Sequence, residues 1–442
     1  MKLHDRRGRR PWLPAFTQYR HRLVPESLAD PGRRLLWIVV AAGLLGGGIG
    51  AAYLAVLHLF ERGLWPTHWT LAAHAVILVT VGTAVGVLTR VLGSPGDVEL
   101  LVDNIHVSGG ADGLRQLPSL LPVSLLCISA GGGLGPEAPL VQTTGTVGSW
   151  AANRFGLDES GVRVVTITGM AAGFTVLFGA PLGSAVFALE ILHRRGLEYY
   201  EALMPAVIGS LAGYAVYVLI TGVGLGPVWQ LPDVGVVRGG DLGWAVACGA
   251  AGAVIATAFT YLNQRLRTAL RGIPVLVRPA LGGAVLALLA WMSPYALTFG
   301  EAQLGQVVTT DLALRTLALA VVAKLLASGV TLSTGWKGGF IIPLFFMGAC
   351  LGEAGHIIFP HTNEAVLVAA LMAACTVGVT KTPLGSVLVV TEMAGLTLLP
   401  TTLIASIVVL VLTSRVGLIE SQRRRTEPTS GRLRSATPNA DA

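Results

Sequence analysis

Glu137 is the residue in this chain best placed to do chemistry. It lies in GGGLGPEAPLVQTTG (131–145), an acid set between long apolar stretches. Two further acids, Glu190 and Glu392, each stand near the end of an apolar run. An ionisable group at bilayer depth costs about 2.5–3.5 kcal/mol or more, so it is a functional hypothesis by default. Three Gly-rich breaks, at 93–97, 131–139 and 335–343, interrupt the same apolar context. Glycine lets the backbone approach an ion closely, and a helix starting just after it aims unpaired N–H groups at that ion. The helix dipole adds partial positive charge, so an ion surrounded by three such breaks is an anion. Amides hold it without a full positive charge beside it, which leaves it free to move on.

The elements that must position these residues are membrane segments. Of 442 residues, 53% are hydrophobic and 12% charged, against roughly 25% charged in an average soluble domain. The net charge of +7 sits in the tails: residues 1–34 and 421–442 hold 14 basic and 5 acidic residues, leaving 17 basic and 19 acidic between them. That distribution is the positive-inside pattern, with both termini cytoplasmic, and it argues against a nucleic-acid partner. Cys127, Cys248, Cys350 and Cys375 lie in apolar stretches without CxxC spacing, as small core residues do. The N-terminus is too long and basic before its first apolar run to be a cleaved signal peptide. HExxH, GxSxG and P-loop motifs are absent from the sequence, so an ATP-driven pump or a membrane hydrolase lacks its chemistry, and neither an enzyme, a cofactor nor a metal is expected. His106 and His356 read as interfacial residues.

Apolar spans are expected near 35–60 (interrupted at Gly46-Gly47-Gly48), 71–92, 118–131, 138–152, 163–192, 202–222, 242–260, 279–292 and 315–331, then from 339 to 414. Several fall short of the ~20 residues that cross the hydrocarbon, as broken helices lining a protein-enclosed cavity do. A basic linker, 265–278, reads as a cytoplasmic loop. The chain also repeats itself. MAAGFTVLFGAPLGSAVFALEIL (170–192) matches MAACTVGVTKTPLGSVLVVTEMA (372–394) at a constant offset of 202, and GPEAP (135–139) aligns with GFIIP (339–343) at 204. The expected organisation is a basic segment 1–34, repeats at 35–222 and 223–420, and a short tail 421–442. Transporters built from such repeats place the substrate where the halves meet.

These motifs resemble those of the CLC chloride channel and transporter family over residues 35–420. GGGLGPEAP is similar to its GREGP segment, STGWKGGFIIPLF (333–345) to its GxFxP segment, and GSPGD (93–97) sits where the family has GSGIP. The resemblance implies an all-α integral membrane protein of two inverted-topology repeats of tilted, broken helices, carrying chloride or a similar small anion. It implies a homodimer in the cell membrane, multi-pass, and a tail too short for the regulatory domains of some relatives. By position Ser94 matches the serine that donates to the anion, although a plain helix N-cap is its other reading. Phe340 and Ile341, with Gly135 and Gly339 in the two loops, match the backbone anion site, and Glu137 matches the gating glutamate whose carboxylate occupies an anion site until protonated.

The departures from the family are specific. Pro136 replaces the arginine before the gating acid. Proton-coupled members carry an inner glutamate where this chain has Ile191, and the inner-gate tyrosine falls near Ile419. Glu190 reads as structural, through an i,i+4 pair with Arg194, or as a substitute proton relay. Lys337, beside the second loop, either raises local anion concentration or surfaces as an ordinary lysine. Passive, glutamate-gated anion movement leads these readings. Coupled anion/proton exchange and a non-transporting membrane scaffold are the alternatives.

Overall fold

The computed structural model describes residues 31–64, 70–96, 98–111, 114–194, 197–222, 234–419 and 421–422. Most of the basic segment 1–34, most of the tail 421–442, Asp97 of the first break and the expected junction from 223 onward lie outside the described residues. Eight helices form the first half: α1 (Pro31–Leu64), α2 (Leu71–Leu92), α3 (Val98–Ser108), α4 (Leu117–Ser129), α5 (Glu137–Arg154), α6 (Glu159–Phe178), α7 (Pro181–Glu190) and α8 (Leu203–Thr221). Eight counterparts follow in the same order: α9 (Gly239–Ala269), α10 (Arg278–Met292), α11 (Glu301–Thr309), α12 (Leu314–Thr334), α13 (Ile341–Ile358), α14 (Glu364–Thr380), α15 (Pro383–Ala394) and α16 (Leu399–Leu412). Seven of the described helices are long and apolar enough to cross a membrane.

The duplication seen in sequence is a duplication of helices. α5 and α13 each span 18 residues, and α7 and α15 each begin on a proline, whose fixed φ suits a first helical turn. α2 packs on α10 and α7 on α15. An element packed against its own counterpart lies on the pseudo-twofold axis that relates two inverted repeats.

The core is built on α6 and α14. Every residue of α6 from Gly161 to Phe178 is buried, as is every residue of α14 from Ala365 to Thr380. Each starts on a side-chain cap: Asp158 accepts from the Gly161 amide at 3.0 Å, and Asn363 from the Val366 amide at 3.3 Å.

Three expectations about the spans change. The run 163–192 is two helices, because Gly179 turns left-handed (φ 61°) at the end of α6 and Pro181 opens α7. Gly46-Gly47-Gly48 does not interrupt α1, which continues to Leu64. Gly43 and Gly47 of α1 serve close packing instead: a Cβ at Gly47 would lie 2.2 Å from the Gly213 carbonyl oxygen of α8. The short helices α3 and α11 were not among the expected spans, since 11 and 9 residues leave no long apolar run.

Candidate anion site

Two of the Gly-rich breaks face each other across the repeat axis. Gly135 and Gly339 form an isolated antiparallel bridge, with the Gly135 amide donating to the Gly339 carbonyl at 2.7 Å and the Gly339 amide to the Gly135 carbonyl at 2.6 Å. The first loop is held from α12, where the Ser328 hydroxyl donates to the Gly133 carbonyl at 2.7 Å. The second is held by the Trp336 indole, donating to the Pro279 carbonyl at 2.8 Å, and by the Lys337 amide on Cys127 Sγ at 3.3 Å. Helices α5 and α13 start immediately beyond, so their unpaired first-turn amides converge from opposite sides.

Glu137 is fully buried at this junction. Its Oε1 accepts from the Ile342 amide at 2.5 Å. Oε2 has no hydrogen-bond partner among the described residues. The carboxylate therefore sits on the N-terminus of α13, where the dipole and the free amides favour negative charge. A Cβ at Gly135 would lie 2.2 Å from Oε2, and one at Gly339 2.6 Å from it. Both bridging residues are glycine because the carboxylate fills the space a side chain would take.

Beside this junction lies a cavity of about 120 Å³ lined by Gly96, Ala138, Gln142, Phe340, Ile341, Ile191 and Ile419, among others. Phe340, the N-cap of α13, and Ile341 both line this cavity. Ser94 does not. It is exposed, and Gly96, two residues on, takes the wall position. Helix α3 begins only at Val98, so Ser94 follows the end of α2 rather than capping α3. Lys337 also lines the cavity, together with Glu99 and Arg267, whose side chains approach to 3.7 Å. Sequence reasoning passed over those two and Gln142; the one available signal for Gln142 was its place five residues after Glu137 on the same helix.

Glu190 and Glu392 cap each other's repeat. Glu190 accepts from the Leu384 amide at 3.2 Å and the Gly385 amide at 2.6 Å, while Glu392 accepts from the Gly183 amide at 2.9 Å. The expected Glu190–Arg194 pair on one helix does not exist, because α7 ends at Glu190. Ile191 and Ile419 do share the cavity wall. Gln422 Nε2 donates to the Ile191 carbonyl at 2.9 Å and the Thr380 carbonyl at 2.7 Å. His106 bonds the Tyr199 hydroxyl and the Leu192 carbonyl, and His356 lies 3.9 Å from Glu364; both are part-buried.

A family description, voltage gated chloride channel, matches residues 98–414. The chain belongs to that family. Among relatives of this CLC protein, a chloride/fluoride channel protein of Pseudomonas syringae pv. tomato is 28% identical over 404 residues, 88% of this chain and 86% of the relative. A voltage-gated ClC-type chloride channel ClcB of Shigella flexneri is 26% identical over 303 residues, 65% of this chain and 70% of that one. Two solved structures share the CLC fold: a slow cyanobacterial Cl-/H+ antiporter (TM-score 0.76, 20% identity, 87% of this chain and 96% of that one) and a CLC-type fluoride/proton antiporter (TM-score 0.76, 22% identity, 88% and 98%). The chain is thus an all-α, multi-pass membrane protein of an anion-transporting family.

Proposed function

We propose that this CLC protein moves chloride or a similar small anion passively across the cell membrane, with Glu137 as the gate. One observation carries the reading: the Glu137 carboxylate accepts from the Ile342 amide in the first turn of α13, beside the cavity. A carboxylate in that seat stands where an anion would bind. Protonation removes its charge and its claim on the amides, and the seat passes to the anion. Phe340 and Ile341, presented by the Gly135–Gly339 bridge, then offer backbone N–H groups to it, and Lys337 and Arg267 draw anions to the cavity. Pro136 adds no charge beside the gate. A scaffold would have no use for a buried acid with one oxygen unpartnered.

Coupled exchange with protons is the second reading, because both solved relatives named above are described as antiporters. Against it stand Ile191 and Ile419, two apolar residues in the cavity wall that carry no proton, and the engagement of both Glu190 oxygens by amides. We place the repeats at 35–222 and 223–420 on the internal repetition, both termini in the cytoplasm on the charge of the tails, and two copies in a homodimer as the family resemblance implies.

The test is chloride flux from vesicles containing the purified protein, measured against pH. Acidification is expected to raise flux in the parent, since the neutral acid vacates the site. Glu137→Gln, a fixed mimic of the neutral form, is expected to hold the high, acid-like rate across the range. A mutant that retains the parent's full pH dependence removes Glu137 from the gate.

A further inference from the structure

We infer that the side-chain amide of Gln142 is a direct ligand of the transported anion. The inference rests on the cavity being the anion site. Gln142 is 3% exposed, and its side chain belongs to α5, five residues beyond the gating acid, in the cavity wall.

A primary amide carries two N–H donors on one nitrogen. One of them is used: Nε2 donates to Gln116 Oε1 at 3.2 Å. The second has no acceptor among the described residues. Burying an unsatisfied amide hydrogen is costly, and a negative ion in the cavity satisfies it. Gln116 holds the Gln142 side-chain amide at that point. Gly96 holds it from the other side: a Cβ there would lie 1.9 Å from Gln116 Oε1 and 2.3 Å from Gln142 Nε2. Glycine at 96 is what lets the pair pack against the backbone just ahead of α3.

The other polar wall groups are engaged elsewhere or less buried, Lys337 being only part-buried. The Trp336 indole N–H is spent on Pro279. Glu99 and Arg267 approach each other at 3.7 Å, with Arg267 41% exposed at the side chain. Ser94, the hydroxyl donor the family motif points to, is exposed and away from the wall.

The repeat supplies an independent argument. At the offset of 204 that superposes α5 on α13, Gln142 corresponds to Phe346, which is fully buried. The fold accepts an aromatic at that position, so a buried amide in the first repeat answers to something the second repeat lacks. A neutral amide suits the task. It binds a halide-sized anion by one charge-assisted hydrogen bond without the full positive charge that would trap it.

The experiment uses the full chain in detergent, with bromide as an anomalous probe in crystals and chloride binding followed by calorimetry. The bromide peak is expected within about 3.5 Å of Gln142 Nε2, the reach of a hydrogen bond to a large anion. Gln142→Leu and Gln142→Glu are expected to weaken chloride binding about tenfold or more, as the loss of a hydrogen bond to a charged group does, with Gln142→Asn between them and the parent. Glu137→Gln is measured beside them. Parental affinity in Gln142→Leu, with Glu137→Gln still flattening the pH dependence, overturns the inference and leaves the gate standing. Failure of the parent to bind chloride, with no effect of Glu137→Gln, overturns both. If the Gln142 variants do not fold, the parent crystals decide: bromide on the α13 amides beyond reach of Nε2 overturns the inference.

Discussion

A single methyl group at position 135 tests how Glu137 is seated. The three atoms nearest an added Cβ all belong to the Glu137 carboxylate, at 2.2, 2.8 and 2.9 Å. The backbone at 135 is not in a left-handed conformation, so the conflict is with the end of one flexible side chain. Gly135→Ala is therefore expected to displace the carboxylate and leave the fold intact. In vesicles its chloride flux at neutral pH rises toward that of Glu137→Gln; flux and pH dependence equal to the parent's would show that the carboxylate does not rest there. Gly339→Ala is less clean, because its Cβ also meets the Ala138 amide nitrogen at 2.9 Å. At this scale Glu137 was legible in the sequence, since an acid in an apolar run has few structural uses. Ser94 was not, because a motif match does not say that α3 starts four residues later.

Among the elements, α7 and α15 are tied by the reciprocal caps of Glu190 and Glu392. Each acid stands at or near the end of one helix and accepts from the first-turn amides of the other, where a carboxylate also complements the dipole. Glu190→Ala and Glu392→Ala are expected to cost about 1 kcal/mol each, the typical value of a lost N-terminal cap. The two should lower the midpoint of thermal unfolding by similar amounts and leave chloride affinity unchanged. A relay role for Glu190 predicts the opposite asymmetry: Glu190→Ala would abolish proton movement while Glu392→Ala would not. The repeat made the equivalence of the two acids visible. Their partners were invisible, because a cap across the pseudo-twofold axis joins residues 194 to 209 positions apart.

For the whole molecule the question is coupling. Exchange at a fixed ratio requires a proton to reach Glu137 from the side opposite its own entry. Ile191 and Ile419 bring apolar surface to the cavity wall, and Gln422 ties the Ile191 and Thr380 carbonyls together beside it. A chloride gradient is therefore expected to drive little or no uphill proton movement in proteoliposomes, with the reversal potential close to that of chloride alone. A constant proton-to-chloride ratio near reversal would establish exchange and require a water path past Ile191.

The sequence by itself determined the membrane setting, the duplication, the pair of Gly-rich loops and the acid between them, because composition and internal repetition need no partner to be read. Through the resemblance to CLC proteins it also singled out Phe340, Ile341, Ile191 and Ile419, which line one cavity. Only the tertiary structure decided which of those residues meet. Glu137 reaches α13 because Gly135 and Gly339 bridge across 204 positions; Gln142 enters the wall because α5 turns that side toward Gly96; Ser94 stays out because Pro95 and Gly96 separate it from α3. Each of these depends on the closure of long loops, and closure is set by how sixteen described helices pack rather than by any local run of residues.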